Sequence, residues 1–193
     1  MVEAVRTGIA TGSVESSLVR AVQRGDAEAF DALVRPRMDR LLRLAMSILG
    51  NEADATDAVQ DGCLQAWREA PRLRDPDRFE AWLWRIVINR CRTTLRGRRR
   101  AQVREIAVDQ MPPGSELRDS SRLLGDEVGA IDAIRRALAT LDHDKRTILA
   151  LHHVERRPVT DIAALLGVPV GTAKWRLHAA RQELERALEA EDR

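Results

Sequence analysis

Aromatic residues are scarce in this 193-residue chain: they make up 3%, with two phenylalanines, four tryptophans and no tyrosine. Strands favour aromatic and β-branched side chains, so this poverty argues against a β-sandwich. Cysteine is nearly absent. Cys63 and Cys91 are the two present, too few for a disulfide framework or a zinc-type cluster, and compatible with a reducing cytosol. No long apolar run occurs. The stretches at Leu41–Leu49 and Trp82–Ile88 are too short to span a bilayer and carry arginines. Residues 1–17 lack the apolar core of a signal peptide. The expected location is cytoplasmic. Also missing are a phosphate-cradling glycine loop, a nucleophile elbow and a His/Cys/Asp cluster of metal spacing. The expectation is a non-enzyme with no metal, no cofactor, no small-molecule substrate and no membrane insertion.

What is present is helix-forming: Ala, Leu, Arg and Glu dominate. Residues 1–15 form a small, polar tail. Periodicity of three and four begins at Ser16. Gly25-Asp26 separates two helices with Asp26 as N-cap, and Gly50-Asn51 closes the segment Met38–Leu49. A helix over about 53–69 follows. A proline-bounded loop at 71–78 then leads into a long helix over about 79–98. Residues 101–128, with Met111-Pro112-Pro113-Gly114, read as a linker. The pattern resumes at 129 and lasts to 190. The fold class is all-α, two small helical domains (16–100 and 129–190) joined by that linker.

Net charge is only +2, but it is unevenly placed. Eight arginines and no acid occupy Arg85–Arg104, whereas Asn51–Asp61 carries four acids and no base. Arg85, Asn89, Arg92 and Arg96 share one helix face, continued by Arg98, Arg99 and Arg100. A solvated charge run is the bland reading. Eight arginines without an acid favour a polyanion. Asp54, Asp57 and Asp61 form an acidic stripe, with Val59, Cys63, Leu64 and Trp67 expected toward the core. Such a stripe suits a basic protein partner, or is a solvated face with an acidic N-terminal bias.

The segment Val159–Lys174 has helix-turn-helix spacing. Thr160 is expected as a cap, Ala163 at the helix crossing, Gly167 in the turn and Pro169 at the second start. Its second helix offers Thr172, Lys174, Arg176, His178 and Arg181 to a major groove; an ordinary helical hairpin with a basic face is the alternative. The adjacent pair His152-His153 makes a poor metal site.

Three of these segments resemble the extracytoplasmic-function (ECF) RNA polymerase sigma factors, in the right order. Ala53-Asp54-Ala55-Thr56-Asp57-Ala58-Val59-Gln60-Asp61 with Leu64, Ala66 and Trp67 is similar to D-A-E-D-L-V-Q-E…L-x-A-W. Phe79, Trp82, Leu83, Ile86 and Asn89 match F-x-x-W-L-x-x-I-x-x-N. Pro169–Arg181 resembles P-V-G-T-V-K-S-R-L-H-R-A-R. The resemblance implies a sigma factor that directs promoter-specific initiation. Asp54, Asp57, Gln60 and Asp61 would dock on the β′ clamp of core polymerase. The 71–78 loop and the helix through Asn89 and Arg92 would melt the minus-ten element and hold a flipped base. The C-terminal domain would bind the β flap and meet the minus-thirty-five element through Thr172, Lys174, Arg176 and Arg181. An anti-sigma factor is the implied regulator. A stand-alone helix-turn-helix regulator is the alternative; it leaves the acidic stripe and the arginine helix unexplained. Trp175 departs most from the pattern, standing where a small serine is usual, and Thr93, Ala58, Ala173 and Arg157-Pro158 depart as well.

Overall fold

The computed structural model describes residues 14–108 and 125–191, and among them every regular element is helical. Residues 1–13 and most of the expected linker (109–124) lie outside the described residues.

Helix α1 (14–23) turns at Gly25, whose φ of 92° needs the freedom of glycine. Asp26 then caps α2 (Ala27–Val34) by accepting from the Ala29 N–H at 3.0 Å. Pro36 tightens the chain into a short 3-10 turn before α3 (Met38–Leu49), which ends at Gly50, also left-handed. Asn51 caps α4 (Glu52–Glu69). Two proline-initiated 3-10 turns, Ala70–Arg72 and Pro76–Arg78, carry the loop into α5 (Phe79–Val108). This helix runs ten residues past the expected stop because Ala101, Gln102 and Glu105 favour helix and no proline appears before Pro112.

Leu33, Leu41, Leu44, Ile48, Phe79, Leu83, Trp84 and Val87 are essentially fully buried in the first core. Each such side chain contributes roughly 2 kcal/mol. An exposed pair such as Arg35–Asp31 contributes well under about 1 kcal/mol, so apolar packing decides the fold. Helices α4 and α5 approach closely at Gly62: a Cβ there would lie 2.8 Å from Val87 Cγ2. Ala55, Ala58, Val59 and Ala66 complete that seam. Leu64, expected in the core, is instead 54% exposed, because the small residues already fill the contact and Leu64 falls on the face of Asp57 and Asp61.

The second half contains α6 (Gly125–Thr140), α7 (His143–Leu149), α8 (Val159–Leu166) and α9 (Val170–Glu191). Asp142 caps α7 through the Lys145 N–H at 2.9 Å. A π turn, Ala150–Val154, extends α7, and Arg156 then takes a left-handed φ of 51°. Leu141, Ile148, Leu151, Ile162, Ala163, Ala173, Leu177 and Ala180 form its core.

The two halves pack together, with α3 against α7 and the π turn, and α5 against α8. The Glu155 side chain is 2% exposed and accepts from Arg40 Nε at 2.9 Å. Arg157 pairs with Glu80 at 2.5 Å and lies 4.3 Å over the ring of Trp84, with Arg40 also near that ring at 5.1 Å. Arg146 donates to the Ile48 carbonyl at 3.0 Å.

Candidate nucleic-acid and protein interfaces

The acidic stripe of α4 is divided by the fold. Asp57, Gln60 and Asp61 are exposed and share their face with Leu64. Asp54 is half-buried and ion-paired with Arg98 of α5, while its N–H bonds the Asn51 cap at 3.0 Å. Three polar or acidic side chains beside an exposed leucine offer both charge and apolar area, the combination that a basic helical partner requires. Sequence reasoning placed Leu64 wrongly; its spacing of three from Asp61 was the available signal.

The arginine-rich face of α5 is partly engaged within the molecule. Arg85 donates to the carbonyls of Leu165 (3.2 Å) and Ala164 (3.1 Å), Arg92 meets Asp144 at 2.6 Å, and Arg90 meets Gln65 at 2.9 Å. Asn89, Arg96 and Arg100 are exposed, and Arg99 lies on the same helix. Burial raises the Asp144 carboxyl, but hydrogen bonds from His143 and Arg92 outweigh it and hold the group below its ordinary value. Burial pushes the neighbouring His143 down, favouring its neutral form.

Beside α5, the 71–78 loop exposes Arg72 and Arg74. Gln23 Nε2 of α1 donates to the Leu73 carbonyl at 2.7 Å, and the Ser16 hydroxyl bonds Asp77. Asp75 accepts from the Asp77 N–H at 3.1 Å and pairs with Arg78 at 3.0 Å.

In the second half, α8 and α9 cross through Ala163 and a turn at Gly167 with φ 68°; the Val168 N–H bonds the Ala163 carbonyl at 3.0 Å. Thr160 does not cap α8: the helix begins one residue earlier, at Val159, and Pro158 holds the cap position without a side-chain bond. Ala173, Leu177 and Ala180 bury one face of α9. The opposite face presents Lys174, Trp175, His178 and Arg181, with Thr172 and Arg176 half-buried. Trp175 is 68% exposed. Arg181 donates to His153 at 3.2 Å and approaches His152 at 3.4 Å. Burial, then the neighbouring His152 and Arg181, push His153 below its ordinary pKa, consistent with an imidazole that accepts. Trp175 and Arg176 face Arg92 and Arg96 of α5 across a cleft of about 410 Å³, floored by Asp142 and Lys145.

The thiols stand apart from these surfaces. Burial pushes Cys91 up to about 12 and raises Cys63, which makes both poor nucleophiles at neutral pH. Among the described residues no cluster of metal-ligating side chains occurs, and no helix is long and apolar enough to cross a membrane.

Two family models match. Sigma-70 region 2 covers residues 33–101, and Sigma-70, region 4 covers residues 131–184. The chain is similar to the RNA polymerase sigma-H factor of Pseudomonas aeruginosa, 32% identical over 187 residues that cover 93% of this chain and 96% of that one. It is similar to the ECF RNA polymerase sigma-E factor of Haemophilus influenzae, 29% identical over 183 residues, 91% of this chain and 95% of that one. Among solved structures it resembles CnrH in complex with the cytosolic domain of CnrY (TM-score 0.64, 28% identity, 92% of this chain and 98% of that one). It also shares the fold of the sigma factor RpoE in complex with the anti-sigma factor NepR from Bartonella quintana (TM-score 0.64, 24% identity, 84% and 98%).

Proposed function

The chain belongs to the sigma-70 family as a sigma factor of the ECF type, and from that premise we propose a division of labour among its surfaces. As a sigma factor it binds core RNA polymerase and directs promoter-specific transcription initiation; its role is that of a specificity subunit, working in the cytoplasm with no catalytic step of its own. The exposed row Asp57, Gln60, Asp61 and Leu64 docks on the β′ clamp, while Asp54 fixes α5 through Arg98. Asn89, Arg92 and Arg96, with the 71–78 loop, meet the minus-ten element, and Arg85, Arg98, Arg99 and Arg100 supply phosphate contacts along the same helix. Helix α9 enters the major groove of the minus-thirty-five element with Thr172, Lys174, Trp175, Arg176 and His178; Arg181 contacts phosphate.

The observation that carries this reading is the order and separateness of the three surfaces. An exposed acidic row, a basic helix and a helix-turn-helix follow one another on distinct elements of two matched regions. The packing of the halves adds a condition. Arg85 and Arg92 are held by α8 and by Asp144, so they reach DNA only when the halves separate. Binding of core polymerase to both halves supplies that separation. An anti-sigma factor that favours the packed arrangement opposes it.

The test is run-off transcription with purified bacterial core polymerase, this protein and a pool of promoter fragments. Initiation that depends on the protein is the expected outcome. Operator binding without polymerase, together with no initiation, would replace this reading with a stand-alone regulator.

A further inference from the structure

The 71–78 loop has few restraints of its own. Its internal bonds are the Leu73 N–H to the Ala70 carbonyl (3.0 Å), the Arg78 N–H to Asp75 (3.1 Å), and the Asp75 carboxylate to the Asp77 N–H and the Arg78 guanidinium. These close each 3-10 turn separately, and none spans Leu73 to Pro76. Leu73 packs against the core, and among the described residues the two side-chain hydrogen bonds that reach the loop from outside both come from α1. Gln23 reaches the Leu73 carbonyl at 2.7 Å, and Ser16, itself buried, reaches Asp77. One anchor thus falls on each side of the exposed tip at Arg74 and Asp75. Helix α1 is in turn fixed to the core by Val19 and Val22, and to α2's exit by the Glu15–Arg37 pair at 2.7 Å. The loop is therefore held in part from an element that is itself fixed to the core.

We infer that Gln23 and Ser16 are positioning residues for minus-ten recognition: they hold the 71–78 loop in the shape that receives an extruded base of single-stranded promoter DNA. The inference rests on the proposed reading of that loop as a promoter-contacting element. Its physical basis is preorganisation. A tip already fixed loses little conformational freedom when a base is captured, and its polar groups keep one geometry from which to discriminate bases. Release of either anchor leaves the fold and the docking row in place but lets the tip sample many shapes.

Gln23→Met keeps length and burial and removes the donor; Gln23→Glu keeps the shape and turns a carboxylate toward the Leu73 carbonyl. Each is assayed as full-length protein bound to core polymerase, in run-off transcription from a template library randomised across the minus-ten element, together with Ser16→Ala. The expected result is a loss of base discrimination at the extruded position of about fivefold for Gln23→Met, the factor that one net hydrogen bond supplies, and a larger loss for Gln23→Glu. Core affinity, melting temperature and preference within the minus-thirty-five element stay as in the parent protein. A uniform loss of transcription across all library members, or unchanged discrimination, overturns the proposal. Arg72→Ala/Arg74→Ala separates the two layers. If this loop variant leaves discrimination intact, the reading of the loop falls and the proposal with it. If it flattens discrimination while the Gln23 and Ser16 variants do not, the positioning role alone is overturned.

Discussion

At the residue scale, two small positions show what pattern and geometry each contribute. Gly62 sits inside α4, where alanine is ordinarily the better helix former by about 1 kcal/mol. Here the added methyl would meet Val87 Cγ2 at 2.8 Å, in a seam with no slack. Overpacking of that kind costs about 1–3 kcal/mol, so Gly62→Ala is expected to lower the melting temperature, and a rise would show that α4 and α5 have room to part. Nothing in the sequence distinguishes this glycine from one in a turn. Gln23 was equally illegible, because its partner is a backbone carbonyl fifty positions away. The cap Asp26 and the helix-ending Gly50 and Gly167 were legible, since each is a local event settled within four residues, whereas Asn51, read as part of the close of α3, caps α4 instead. Thr160 was misread for the complementary reason: Pro158, two residues earlier, already takes the extended cap conformation, which puts the threonine inside the first turn.

Elements carry the division between surfaces that read the partner and surfaces that hold the fold. In α4, periodicity identified the acidic side but not the depth of each residue. Asp54 turned inward to Arg98, and Leu64 turned outward beside Asp57 and Asp61. Replacing Asp57 and Asp61 by arginine is expected to abolish core polymerase binding with the circular dichroism spectrum unchanged; parental affinity in that variant would remove α4 as the docking element. In α9, the buried side (Ala173, Leu177, Ala180) was set by spacing, and its first half turns Lys174, Trp175, His178 and Arg181 outward. Lys174→Ala and Arg176→Ala should each weaken a minus-thirty-five duplex by about 1–3 kcal/mol if they contact base edges, with the loss concentrated on the preferred sequence. A loss spread evenly over sequences would mark them as phosphate contacts. The arginine run of α5 was legible as a polyanion surface, but its internal bonds to Gln65, Asp144 and the α8 carbonyls were not, because they depend on elements far along the chain.

For the whole molecule, the sequence announced two helical units and said nothing of their contact. That contact is ionic where it is most enclosed. Glu155 is sealed against Arg40, with Arg43 at 3.9 Å, while Arg157 bridges Glu80 and the face of Trp84. Loss of the charge at Glu155 leaves Arg40 facing a neutral group; because Arg40 is itself partly hydrated, the cost is about 2 kcal/mol, or roughly thirtyfold in the population of separated halves. Glu155→Gln is therefore expected to lengthen the mean distance between fluorophores placed on the two halves, and an unchanged distribution would show that the ionic network does not hold them together. The same network gives the protein an intrinsic optical gauge. The indole of Trp84 is fully buried, its N–H has no hydrogen-bond partner among the described residues, and a guanidinium from the distant half covers its ring. When the halves part, that cation leaves and solvent reaches the indole, so its emission shifts to the red. With Trp67, Trp82 and Trp175 changed to phenylalanine, parting of the halves in the free protein becomes visible without any attached dye.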